Sequence, residues 1–373
     1  MSNRTHLSNF AGDKKEWPVY MTIGNLSSKI CQMPSTPSVG MVTLLQILIK
    51  NRNIPQKRLD EQRQTNWKVL NEVLRWVLHP LTFKQIPSTK SRYCNVLCAD
   101  GNFRSCKSVL AAWIADCPEY RDLHRLERHV CFWCECPNKV LGDYVPAEEK
   151  HPRRDHNVYR TLRHANTKPA DAKLSLRHVH RWFNMFRHIP CIVSDLPMPG
   201  LLHTMQIGIL DQLQKWIFHF MKTHERLDKY NAIRLSVPAY HDLTPKNKSY
   251  EEVSQWNGKE MKEMSWYLLG VVTQSLRGGS PIQHPIFNCV IQCNRGLLEF
   301  FMYARYNSHN DATLSYMEDA LRHFHTFKDV FLLGRAGKKV KAKANALRTE
   351  LVKKQKVDEK TNADSWMPPK KRR

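Results

Sequence analysis

The stretch from Asn9 to Asn25, NFAGDKKEWPVYMTIGN, decides how the first third of the chain is read. A turn feeds a strand-like run formed by Trp17, Val19, Tyr20, Met21, Thr22 and Ile23. Only the polar residues Ser2-Asn3-Arg4-Thr5-His6 stand ahead of it. A strand inside a sheet needs a hydrogen-bonded neighbour. The expectation is therefore a sheet that opens part-way through, with the strand that should precede Trp17 missing.

Outward from this run, Thr43–Ile49 (TLLQILI) is a short apolar segment suited to a buried strand. The basic, polar residues from Lys50 to Arg63 read as a surface connection. Trp67–Leu78 places Leu70, Val73, Leu74 and Val77 on one face of an amphipathic helix. Tyr93–Cys98 (YCNVLC) is strand-like and stops at Asp100-Gly101, and a second helix is expected over Ser108–Ala115. The order strand, strand, helix, strand, helix places residues 1–120 in an α/β core. Residues 121–190, rich in His, Cys, Arg and Trp, read as an insertion, and 191–334 as a helical region. There Leu201–His219, Glu260–Leu276 and the long stretch Gly296–Lys328 show helical apolar periodicity. Residues 335–373 hold 14 Lys/Arg against four Asp/Glu and form a basic tail.

With 42% hydrophobic residues and 10 Trp, the 373-residue chain has the material for a substantial core, despite a mean hydropathy of -0.54. Its net charge of +24, from 58 basic and 34 acidic residues, calls for a polyanionic partner, nucleic acid first. The 11 cysteines are an odd number, and no apolar segment of a secretory signal follows Met1. No run approaches the ~18 apolar residues of a membrane span. A soluble, intracellular protein that avoids membranes is expected, and a homo-oligomer stays open.

Several segments carry a family resemblance. They are CADGNFRSCKSVLAAWIADCPE at 98–119, the Cys131/Cys134 pair and LPMPGLLHTMQIGILDQLQKWI at 196–217. Two more are LSVPAYHDLTPKNKSYEEVSQWNGKEMKEM at 235–264 and LLEFFMYARYNSHNDATLSYMEDALRHFHTFKDVF at 297–331. In this order they resemble fungal Plavaka-type DNA transposases, relatives of the CACTA elements. The resemblance implies an RNase H-like nuclease core with a large, mainly helical insertion, built for cutting and joining DNA. It also implies that the core is incomplete here, with its central first strand missing. Loss of that strand would leave buried backbone groups unpaired, at ~1–3 kcal/mol each against a total stability of ~5–15 kcal/mol.

The resemblance further implies where chemistry should sit. DNA strand transfer of this class uses two Mg²⁺ held by carboxylates. The first acid falls at Asn3, a neutral amide. The family's Pro-Asp-Leu-Leu-His reads Pro199-Gly200-Leu201-Leu202-His203, and the last acid finds no counterpart before the chain turns basic. Asp100 takes the place of the second acid, although the residues alone favour an Asp-Gly turn. Asp116, followed by Pro118, reads as a helix-end turn residue. Glu299 and Glu318 read as ordinary helix acids, with Glu318 spaced to pair with Arg322.

Cys131-x-x-Cys134, with Cys136 beyond, has the spacing of a zinc half-site, and His124, His129, His151 and His156 are near enough in sequence to complete it. His151 is the favoured fourth ligand. Reduced thiols beside a buried Trp133 are the plain alternative. Arg153, Arg154, Arg160, Arg163, Arg177, Arg181 and Arg187, interleaved with Tyr159, Trp182 and Phe183, fit a phosphate-tracking surface with stacking rings. The ending Pro368-Pro369-Lys370-Lys371-Arg372-Arg373 resembles a nuclear import signal. The sequence thus points to a nuclear, transposase-derived DNA-binding protein that has lost catalysis. An active DDE-type transposase from an incomplete gene model and a zinc-stabilised RNA- or protein-binding adaptor are the other readings.

Overall fold

The computed structural model describes Ser2 and residues 5–6, 15–45, 47, 55–79, 94–154 and 195–332, less short gaps within these ranges. The chain is mixed α/β and divides into two compact units, Met1–Gly200 and Leu201–Arg373.

In the first unit, β1 (Thr5–His6) pairs antiparallel with β2 (Lys15–Thr22), Thr5 opposite Glu16, and Ser2 bridges Val19 in the same register. The N-terminal residues therefore supply the partner that the sequence reading left out. Ser2 is only 3% exposed, and its backbone N–H donates to the Ile114 carbonyl at 3.0 Å. Polar side chains hid this pairing, because a backbone ladder makes no demand on them. On its other side β2 pairs antiparallel with β3 (Val39–Leu45). Trp17, Val19 and Leu45 turn into the core, and a register shift falls between Val19 and Tyr20.

After the short α1 (Ser28–Cys31), α2 (Gln56–Leu78) lays Leu74 and Leu78 into this core, with Leu70, Val73 and Val77 packed beside them. The helix starts well before Trp67, so part of the expected surface connection is helical. Gln, Lys, Arg and Glu between Gln56 and Arg63 are good helix formers that carry no apolar period. β4 (Cys94–Leu97) and β5 (Phe103–Cys106) make a hairpin. Where a helix was expected over Ser108–Ala115, β6 (Trp113–Ala115) is a strand parallel to β7 (Pro197–Pro199). Trp113 and Ala115 point inward and Ile114 outward, a period of two that the preceding Leu-Ala-Ala obscured. α3 (Cys117–His124) follows directly, and Leu126 and Val130, from the stretch read as an insertion, join the same core.

The second unit is helical. Wide π-helical turns from Leu202 to Leu210 run into α4 (Asp211–Thr223), then come α5 (Leu227–Leu235), α6 (Gly258–Leu276), α7 (His284–Tyr303) and α8 (Asp311–Phe327). Ile217, Phe220, Met221, Leu268, Val272, Val290, Leu297 and Phe301 fill its core. The stretch Gly296–Lys328 is not one helix. It breaks after Tyr303, and Asn310 restarts it by accepting from the Thr313 backbone N–H while Thr313 receives the Asn310 N–H. Gly296 lets α7 and α8 touch: a Cβ there would lie 2.7 Å from the Phe324 nitrogen and 2.9 Å from the Ala320 oxygen. Among the described residues no helix is long and apolar enough to cross a membrane.

Candidate functional site

Asp100 sits at the tip of the β4–β5 hairpin, in a turn that Gly101 completes at φ 80°. Its Oδ1 accepts from Arg104 Nη1 at 2.9 Å and from the Asn102 backbone N–H at 3.2 Å. Its Oδ2 accepts from Arg104 Nη2 at 2.6 Å and from Asn102 Nδ2 at 3.2 Å. The Arg104 guanidinium, then Asn102, hold this carboxyl well below the usual range. The arrangement is that of an ion-paired, solvent-exposed turn.

A different acid stands where two parallel strands end together. The register pairs Ala115 with Pro199, so Asp116 and Gly200 follow side by side at the ends of β6 and β7. Asp116 Oδ1 accepts the Glu119 backbone N–H at 2.7 Å and caps α3. The buried Glu119 side chain faces the Ser2 hydroxyl, which also accepts from Trp113 Nε1 at 2.8 Å. The Tyr120 hydroxyl clamps the two strands: it donates to Met198 O and receives the Ala115 and Met198 N–H groups at 2.9 Å each. Burial pushes its pKa up to about 12, so it stays a donor. Asp116 was expected at the end of a helix, but it follows a strand and stands at the start of α3. What sequence missed was the strand before it, which sets the acid at the end of β6. The apolar run Trp113-Ile114-Ala115 ahead of the acid was the available signal.

The Cys131–Cys136 segment runs against residues 151–154. Cys134 bridges Arg153, the Glu135 N–H donates to Pro152 O at 3.0 Å, and the Arg154 N–H donates to Trp133 O at 2.9 Å. In that register His151 falls opposite Cys136. Burial lifts the Cys134 thiol to about 11, against the opposing effect of the Cys136 backbone N–H donated to its sulfur. Cys131 lies beside it, and burial also raises Cys136. Trp133 Nε1 donates to Pro197 O at 3.0 Å and ties this ribbon to β7. Yet among the described residues no three His, Cys, Asp or Glu side chains are gathered to hold a metal ion. Cys131 and Cys134 are two neighbouring thiols, and a tetrahedral zinc site needs four donors.

Of the arginines read as a phosphate track, Arg153 is exposed and ion-paired with Asp195. Arg154 is corrected: it is 5% exposed and its Nε donates to Cys131 O at 2.8 Å, so it braces the ribbon from inside. Arg160, Arg163, Arg177, Arg181 and Arg187 lie outside the described residues, as do His129, His156, Asn3 and the tail from 335 to 373. Glu299 accepts from Arg295 at 2.7 Å, and Arg322 donates to Asp319 at 2.9 Å.

The family described as Plavaka transposase matches residues 1–217, more than half of the 373-residue chain, and the chain belongs to that family. No curated protein matches it, and no solved structure does.

Proposed function

We propose that this member of the Plavaka transposase family binds DNA without cutting it, on an RNase H-like sheet whose first strand is short. The observation that carries the reading is the pair of neighbouring strand ends: Asp116 has Gly200 beside it, not a second carboxylate. Asn3, next to Ser2 in sequence, is an amide, and Asp100 is already taken by Arg104. Two Mg²⁺ ions about 4 Å apart need several carboxylates converging on them. The acids present, Asp116 and Glu119, do not fit such a centre. The strand pairing supports the fold assignment, since Ser2 and Thr5–His6 pair with β2 and Ser2 links through Ile114 to β6 and then β7. The net charge of +24 supplies the attraction to phosphate, and the basic terminus supports a nuclear site of action.

The test is a salt series of duplex binding together with plasmid nicking in Mg²⁺ and Mn²⁺. Tight binding whose logarithm falls steeply with log salt, without nicking, is expected. Metal-dependent nicking that Asp116→Asn abolishes sinks the non-cutting half. Salt-independent affinity sinks the DNA half.

A second reading, a zinc-stabilised RNA- or protein-binding adaptor, is favoured by one observation, the ribbon register that sets His151 opposite Cys136, next to the Cys131 and Cys134 thiols. Zinc released stoichiometrically by a thiol-blocking reagent from purified protein would favour it.

A further inference from the structure

Where α7 hands over to α8, four aromatic rings follow one another. His309 stacks on Tyr306 with centroids 6.1 Å apart and planes 15° apart. Tyr306 meets Tyr303 edge-on at 5.6 Å, and Tyr303 lies 5.9 Å from Tyr316. Tyr306 and Tyr316 are 52% and 53% exposed. A continuous row of half-open rings is not what packing two helices requires, since the close contact is made by Gly296 and by the buried Ala320 and Phe324. The row leads into a surface cleft of about 310 Å³ lined by Arg295, Glu299, Tyr303, Tyr316, Asp319 and His323.

Cations flank the same end. The Arg305 guanidinium lies 5.8 Å from the centroids of both Phe301 and Trp266, and the Lys262 ammonium lies 5.8 Å from Trp266. Trp266 itself is 40% exposed. In the cleft the charges are already paired, Arg295 with Glu299 and Asp319 with Arg322. Among the described residues this is a surface of π-faces with a few cations beside them and no dense positive stripe. Double-stranded DNA presents phosphates and hides its base faces, so it uses little of such a surface. An unpaired strand offers both, and every base has a face to stack.

We propose that this end of the helical unit binds single-stranded DNA, its bases stacking along His309, Tyr306, Tyr303 and Tyr316 and its phosphates meeting Arg305 and Lys262. The inference rests on the DNA-binding reading above and names the form of DNA taken here. Protein partners also favour Tyr, Trp and Arg, but the net charge of +24 and the transposase family point to nucleic acid.

The test uses the full chain, a short labelled mixed-sequence oligonucleotide and the duplex of the same sequence. The double substitution Tyr306→Ala with Tyr316→Ala is expected to weaken single-strand binding by about tenfold or more. Duplex affinity and melting temperature should hold, and the double Phe variant, which keeps the rings, should bind as the parent does. Unchanged single-strand binding in the Ala variant overturns the proposal, and so does a duplex affinity that falls in step. A parent chain that binds duplex alone overturns this inference and leaves the DNA reading standing. One that binds neither removes both.

Discussion

Arg104 grips Asp100 across the β4–β5 turn, with both terminal nitrogens donating to the two carboxylate oxygens at 2.9 and 2.6 Å. The hairpin tip is closed by an ion pair, and a cation seeking this carboxylate would have to displace a guanidinium already in register with it. The pair is open to solvent, so its effect should be local. Asp100→Asn is expected to speed amide exchange at Phe103–Cys106 near pH 7 while the global melting temperature stays put. The pH sign follows from the lowered carboxyl. The unfolded state binds the proton first, so the support is complete above about pH 4 and fades as pH falls further. Equal hairpin exchange in parent and variant would remove the argument.

The contact at Gly296 makes a prediction of definite sign. A Cβ there meets backbone atoms of Phe324 and Ala320, which cannot swing aside as a side chain can. Gly296→Ala should therefore destabilise the helical unit by about 1–3 kcal/mol. Gly270 of α6 is a control with the opposite outcome, because a Cβ there meets nothing within 4 Å. Gly270→Ala should stabilise by about 0.4–1 kcal/mol through the unfolded chain and helix propensity. Urea denaturation of the two variants reads both signs, and two shifts in the same direction would contradict the packing.

Much of the architecture was legible where burial enforces a period. Leu74 and Leu78 of α2, and Leu268 and Val272 of α6, occupy the buried stripe that their spacing announces. The failures share a cause. Thr5–His6 and Trp113–Ala115 are two- and three-residue strands, too short for any period, and their placement comes from backbone bonds to distant strands. The break after Tyr303 was hidden because aromatic residues continue on both sides of it. The Asp100-Gly101 turn was legible in the residues alone, while the ion pair of Asp100 with Arg104 needed the β4–β5 pairing. The position of Asp116 at a strand end needed the β6–β7 pairing, which spans residues 113 to 199. Arg154 looked like its neighbours in sequence, and only the ribbon register turns it inward.

Asp116 carries a prediction separate from any chemistry. Its Oδ1 accepts the Glu119 N–H at 2.7 Å, so Asp116→Ala removes the cap of α3. A loss of about 1 kcal/mol is expected, whereas Asp116→Asn keeps an acceptor and should lose little. Chemical denaturation distinguishes them. If Asn and Ala variants fall equally, the negative charge matters and the cap alone does not explain the residue.

The helical unit also holds thiols whose behaviour tests its core. Cys293 and Cys289 are buried in α7, and Cys31 in the first unit is exposed. Burial alone pushes the Cys289 thiol up to about 11, and Cys293 is raised further. At pH 8 about one Cys289 in a thousand would carry the reactive thiolate, before access is considered. A thiol reagent should therefore label Cys31 at once and Cys293 only as fast as the unit unfolds. The same shifts fix an alkaline trend. The unfolded thiols lose protons near pH 8.5 while the folded ones keep them, so the native state loses stability as pH rises beyond that value. Cys293→Ala should flatten the fall in melting temperature between pH 8 and pH 10, at some cost in packing at neutral pH. Rapid labelling of Cys293 in the folded protein would mean that the α7 face is open, and the core drawn around Val290 and Leu297 would be wrong.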